Sequence, residues 1–321
     1  MGVGYDKCGE VTMDAYPVVR YRFTFKVTKP FHIPDYAGSM LRGMFGWSLK
    51  KLSVASKFGD LISKRELYKL CPYTMLFEPP PPEEHKIQKF SDIPAPYIIE
   101  PPDWGSKNLV EGDLLQFNMV LAGHARHQLP YIIAAWRGAL VGKVGREQGG
   151  AELHEVECIH GDAVTSIYHF EEPTIRDHST TIEMPSEPVL SGTVSIQILT
   201  PMRLQKNGKP LNPEEITART CLMALIRRVG LITEFHTNIE LSTDYSSLGE
   251  RADNIEIEPN LKWLEMTRYS SRQKQKMSLG GVVGTVTLKG DLQEFLPHLH
   301  LGQWLHVGKN ATFGLGKYEL L

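Results

Sequence analysis

Two histidines sit at breaks in the chain, where a side chain is well placed to meet a substrate. His32 stands in TKPFHIP with Tyr36 four residues on, and His306 directly precedes the Gly-rich stretch GKNATFGLGK. An imidazole exchanges its proton near neutral pH, so either residue could serve as a general acid or base. A structural or merely exposed histidine is the competing reading of each. The stretch after His306 sets glycines 308, 314 and 316 beside Lys309 and Lys317. Backbone amides without side chains, flanked by two cations, suit phosphate oxygens. The glycine spacing matches neither the P-loop nor the dinucleotide fingerprint, and a turn shaped for packing would read the same way. A third cluster, TRYSSRQKQK (267–276), gathers Arg268, Arg272, Lys274 and Lys276 around Tyr269 and Gln273. Cations interleaved with an aromatic ring can hold backbone phosphates and stack a base, although a charge run is also what a solvated face looks like.

Other chemistries find less support. His154, Cys158 and His160 approach metal-ligand spacing without a fourth ligand nearby, and HARH (124–127) is no better, so no metal is expected. There is no serine nucleophile elbow and no pair of carboxylates in a suggestive context. The expected chemistry is proton transfer and phosphate binding by side chains, with no cofactor. Against 35 Lys and Arg stand 37 Asp and Glu, a formal net charge of -2, so attraction to a polyanion must come from local clustering. Four scattered cysteines without a CxxC pair, and an N-terminus without an apolar core behind a basic start, lead to the expectation of a reduced, cytoplasmic setting.

The elements that must carry these residues are legible from periodicity. VRYRFTFKV (19–27) alternates strictly, the pattern of a half-buried strand. In YAGSMLRGMFGWSLKKL (36–52), Leu41, Met44, Phe45, Ser48, Leu49 and Leu52 share one side of a helix, and Arg42, Gly46 and Lys50 fall on a neighbouring stripe. The order then repeats. GTVSIQI (192–198), the break TPMRL and the helix EEITARTCLMALIRRVG align Phe23, Phe25 and Val27 with Val194, Ile196 and Ile198 at an offset of 171. LLQFNMVLAG (114–123) and LPYIIAAWRGALVG correspond to GVVGTVTLKG (281–290) and DLQEFLPHLHLGQWL, with Leu121 on Leu288 at 167 and Gly142-Lys143 on Gly308-Lys309 at 166. Pro297 inside the last of these helices predicts a kink. Two βαββαβ copies emerge, and the predicted class is α+β with tandem ferredoxin-like domains. The expected domains are residues 1–185 and 186–321, the second ending in the Gly-rich loop. FEPPPPEEHKIQKFSDIPAPYIIEPP (77–102), with eight of the 21 prolines, is expected to lie across the first domain as polyproline or irregular chain.

YAGSMLRGMFGWSLKKL, CPYTMLFE, the run ending PYIIEPP, LPYIIAAW, LTPMRL, RYSSRQ, GGVVG and HVGKNATFGLGKYEL resemble, in that order, the CRISPR repeat-RNA processing endoribonucleases of the RAMP superfamily. The resemblance runs from about residue 19 to the end. It implies tandem ferredoxin-like domains, binding of a CRISPR repeat transcript, and metal-independent cleavage by the ribose 2′-OH to leave a 2′,3′-cyclic phosphate and a 5′-OH. Under it, His32 is the general base or acid with Tyr36 assisting, Lys50 acts at the phosphate, and His306 is the competing catalyst. Arg42, Lys51, Arg268, Tyr269, Arg272, Gln273, Gly308, Lys309, Gly314 and Gly316 would hold the RNA. The chain departs from its relatives at Trp47, where they often carry a histidine after Phe-Gly, and at Thr74, where they often carry a second cysteine. Trp47 cannot transfer a proton. The alternative is therefore a non-catalytic RAMP subunit that holds the crRNA handle among other Cas proteins of an interference complex.

Overall fold

Strict alternation from 19 to 27 has its physical counterpart in a strand with one buried face, β1 (Val18–Lys29), in which Phe23 and Phe25 are fully buried. The computed structural model describes residues 15–53, 71–80, 93–142, 144–145, 147–184, 192–240, 243–270 and 275–321. The elements of its first half are β1, α1 (Gly38–Leu52), α2 (Pro72–Phe77), β2 (Tyr97–Glu100), β3 (Leu114–Ala122), α3 (Leu129–Ala139), β4 (Gly150–His160) and β5 (Ala163–His169). They form a five-stranded antiparallel sheet in the order β2-β3-β1-β4-β5. Without β5 this is the ferredoxin-like order, with the first and third strands at the centre.

The second half repeats the plan with β6 (Thr193–Met202), α4 (Ala218–His236), α5 (Tyr245–Asp253), β7 (Glu256–Leu264), β8 (Gly281–Lys289), α6 (Leu296–Leu305) and β9 (Tyr318–Leu320). Its four strands run β7-β8-β6-β9, again antiparallel. The chain divides into two compact units. One holds residues 17–180 with Phe235–Thr237, and the other holds Thr181–Glu234 and Asn238–Leu321 together with Tyr16.

Aromatic packing fills the N-terminal core. Trp136 of α3 stacks on Phe45 of α1 at 5.0 Å and lies 4.6 Å from Phe117 of β3, which stacks in turn on Phe23 and Phe25. Ser48, the one hydroxyl on the buried side of α1, donates to the Ala135 carbonyl at 2.7 Å, so its burial leaves no orphaned polar group. Leu52, expected on that side, is exposed in the last turn. Thr74 is buried in α2.

Three expectations are corrected. Tyr97–Glu100, inside the Pro-rich run, is a regular strand whose residues pair with Leu121 to Asn118; as an edge strand it tolerates the flanking prolines. Pro297 lies in the first turn of α6, which begins at Leu296, where a missing N–H costs nothing and no kink follows. The two copies also do not match residue for residue. Phe23 pairs with Phe117 and Val194 with Leu288, so keeping the offset of 171 sets Leu288 on Phe117, four residues from Leu121. The slip is even, so the inward faces survive it.

Candidate functional site

In the N-terminal unit the chain after β1 forms a short strand, Phe31–Ile33, paired antiparallel with Lys107–Leu109 so that His32 faces Asn108. Phe31 and Ile33 turn into the core, and alternation therefore sends His32 to solvent. His32 Nδ1 lies 2.9 Å from Asn108 Oδ1. A carbonyl oxygen only accepts, so Nδ1 donates in this bond, and in the neutral ring the lone pair is then on Nε2. Nε2 has no hydrogen-bond partner among the described residues.

The segment behind Asn108 is tied to the same turn. Asp35 accepts from the Gly105 amide through its carbonyl at 3.1 Å and from the Ser106 amide through Oδ1 at 2.9 Å. This brings the exposed Trp104 over Tyr36, with ring centroids 4.9 Å apart. Burial, with the Glu100 carboxylate adding to it, pushes the Tyr36 phenol far above its usual range. The Tyr36 hydroxyl thus keeps its proton at neutral pH.

Helix α1 presents the cations. The Arg42 guanidinium lies 4.1 Å from the Phe77 ring centroid, Lys50 Nζ 5.5 Å from that of Tyr73 and Lys51 Nζ 5.4 Å from that of Trp47. Phe77 reaches Arg42 because Gly46 has no side chain: a Cβ there would lie 2.3 Å from the ring. Lys50 and Lys51 occupy the last turn, where they also offset the helix dipole. Trp47 is 56% exposed.

In the C-terminal unit the second candidate fares differently. His306 is fully buried, with φ of 53°, and its Nδ1 lies 3.3 Å from the Leu315 carbonyl. A side chain without solvent access cannot meet a substrate, so its site is structural in this conformation. The Gly-rich loop also turns inward. The amides of Lys309, Gly314, Gly316 and Lys317 donate to Arg203 O, Ala311 O, Pro201 O and Thr200 Oγ1, so they are not presented to phosphate as expected. Gly316 has φ of 71° and its missing Cβ would fall 1.8 Å from the Val307 carbonyl oxygen, which explains the glycine by packing. Gly308 also has positive φ, and Lys309 points to solvent. Arg203, in the LTPMRL motif, carries no signal in the sequence that marks it as functional. Its carbonyl anchors the loop, and its Nη1 donates to the carbonyls of Ser278 and Gly280, beside the hairpin Thr267–Ser270 and Gln275–Ser278. In that hairpin Arg268 pairs with Met277 and Tyr269 with Lys276. Arg272 and Gln273 lie outside the described residues.

Residues 196–318 match the family model of the CRISPR-associated endoribonuclease Cas6. Over this C-terminal stretch the chain is similar to the Cas6 endoribonucleases. Residues 16–180 match a further family model, AF_1859_N, described as an N-terminal domain. No curated protein matches the chain. Among solved structures, the chain is similar to a Cas6 product complex (16% identity, TM-score 0.57, covering 95% of this chain and 100% of the other). It is similar also to Thermus thermophilus Cas6 (14%, 0.51, 97% and 100%) and to a chain of a partial Cas6-RT-Cas1–Cas2 complex (15%, 0.52, 95% and 46%). At these identities the likeness concerns the fold, which agrees with the tandem ferredoxin-like reading. Among the described residues no helix is long and apolar enough to cross a membrane.

Proposed function

We propose that the protein binds CRISPR repeat RNA and cuts the precursor transcript without a metal ion, with His32 as the catalytic imidazole. The observation that carries this reading is the His32–Asn108 hydrogen bond, which holds an exposed ring in the tautomer whose Nε2 can accept a proton. In the reaction Nε2 takes the proton of the ribose 2′-OH as the 2′-oxygen bonds to phosphorus. The bond from phosphorus to the 5′-oxygen breaks, and that oxygen takes up a proton. The products are a 2′,3′-cyclic phosphate and a 5′-OH. Tyr36, held protonated, is the candidate donor to the leaving oxygen. Lys50 and Lys51, exposed on α1, supply positive charge to the phosphate. Arg42 on α1, Lys309 beside the Gly-rich loop, and the Arg268 to Gln273 segment extend the RNA contacts; Gly308, Gly314 and Gly316 contribute by shaping the loop.

A second reading follows from Trp47, exposed on α1 with Lys51 against its ring. Such a pair stacks a base and contacts a phosphate without moving a proton, as a subunit holding a crRNA handle among other Cas proteins would. Labelled repeat RNA incubated with the protein in EDTA separates the two. One discrete cut, abolished by a single 2′-deoxy substitution and lost in His32→Ala, is expected. Tight binding without a cut would replace cleavage by handle binding.

A further inference from the structure

A cleft of about 520 Å³ opens in the N-terminal unit, and none of the residues assigned above lines it. Its lining takes in the consecutive residues 114–118 of β3, so it runs along that strand and reaches onto the sheet face opposite the core. Alternation that turns Phe23 and Phe117 inward turns Arg22, Gln116 and Asn118 outward, with Arg22 and Asn118 cross-strand partners. Its wall comes from the segment 101–109, which contributes Asp103 and Lys107. Lys107 and Asn108 are neighbours in an extended strand, so they point to opposite sides of it. One face of the ribbon thus holds His32 and the other borders the cleft.

We propose that this cleft holds one unpaired nucleotide of the RNA, its phosphate against Lys107 and Arg22 and its base edge against the amides of Gln116 and Asn118. The proposal rests on the reading that RNA is the substrate. The volume suits one nucleotide and is too small for a duplex. The side chains divide into the two kinds a nucleotide needs. Lys107 is exposed, and Arg22 is only loosely engaged, 3.5 Å from Glu157, so a phosphate can compete for both. Amides present a donor and an acceptor together, which is what base edges present. Gln116 is oriented by its bond to Thr24 Oγ1 at 3.0 Å, and Asn118 makes no side-chain hydrogen bond among the described residues. Asp103 repels phosphate at the rim and accepts from base N–H groups, so the cleft is not a general anion site.

Binding is measured by fluorescence anisotropy on a repeat RNA made uncleavable by 2′-deoxy substitution, so the result does not depend on whether the protein cuts. Lys107→Ala with Asn118→Ala is expected to weaken binding about tenfold or more. The slope of log affinity against log salt should fall by about 0.7, because one phosphate is no longer neutralised. Asn118→Asp, which keeps the shape and adds a repelling charge, is expected to weaken binding as well. A 4-thiouridine at the bound position should crosslink to the 101–118 peptide. Wild-type affinity in both variants would overturn the proposal, as would tight binding of a free nucleoside monophosphate with RNA binding untouched. Failure to cut a cleavable repeat, with these weakened affinities present, would overturn the cleavage reading and leave the cleft assigned.

Discussion

An imidazole that donates through Nδ1 can accept only through Nε2, so Asn108 decides which atom of His32 is available for chemistry. Loss of the imidazole in His32→Ala should lower the cleavage rate by about 10²–10⁴-fold, the contribution of a positioned acid or base. Asn108 acts through His32, and Asn108→Ala should cost about 10–100-fold, the range for partners that orient a reactive ring. Asn108→Asp is the more telling variant. A carboxylate beside Nδ1 favours the imidazolium, so the acid limb of the pH–rate profile should move to higher pH while the fold is kept. A profile that does not move would mean that the 2.9 Å hydrogen bond plays no part in setting the proton.

At the scale of elements, the Gly-rich loop and the His32 ribbon work in opposite ways. The loop commits its amides to Arg203, Pro201 and Thr200, so its glycines are explained by close packing, whereas the ribbon turns the His32 imidazole outward. Gly316→Ala should be destabilising by about 3 kcal/mol or more, because positive φ and a backbone clash act together. Gly112 also has positive φ, of 94°, but open space around it, and Gly112→Ala should cost only about 1 kcal/mol. Urea unfolding of the two variants checks the difference, and equal losses would show that the loop can move away from Val307.

For the whole molecule, charge and burial set different limits. A net charge of -2 provides no general attraction to RNA, so binding should depend on a few local contacts. Buried phenols set the alkaline limit. Burial raises both Tyr16 and Tyr97 to about 12 from the ordinary 10, against opposing contributions from Thr233 and Arg228 at Tyr16 and from Arg42 at Tyr97. Their folded pKa values exceed the unfolded ones. The stability they contribute is therefore complete below pH 10 and is lost as pH rises from 10 through 12. The protein should unfold in that interval with a cooperative rise in tyrosinate absorbance. Ionisation of these phenols well before the loss of circular dichroism would contradict their burial.

The sequence determined the two βαββαβ copies, because strand and helix periods are local records of which side of an element faces apolar surroundings. It singled out His32, Tyr36, Arg42 and Lys50 as candidates for the same reason: they fall at a break or on a stripe that cannot enter the core. It did not separate His32 from His306, since accessibility depends on how α6 and the following loop fold back, and no local pattern records that. Asn108 was invisible because it meets His32 across 76 residues, and a lone asparagine carries no periodic signal. The four-residue slip between the copies escaped because an even shift leaves the alternation unchanged. Tertiary structure decided the accessible histidine, its tautomer and the inward turn of the Gly-rich loop, each set by contacts between segments far apart in the chain.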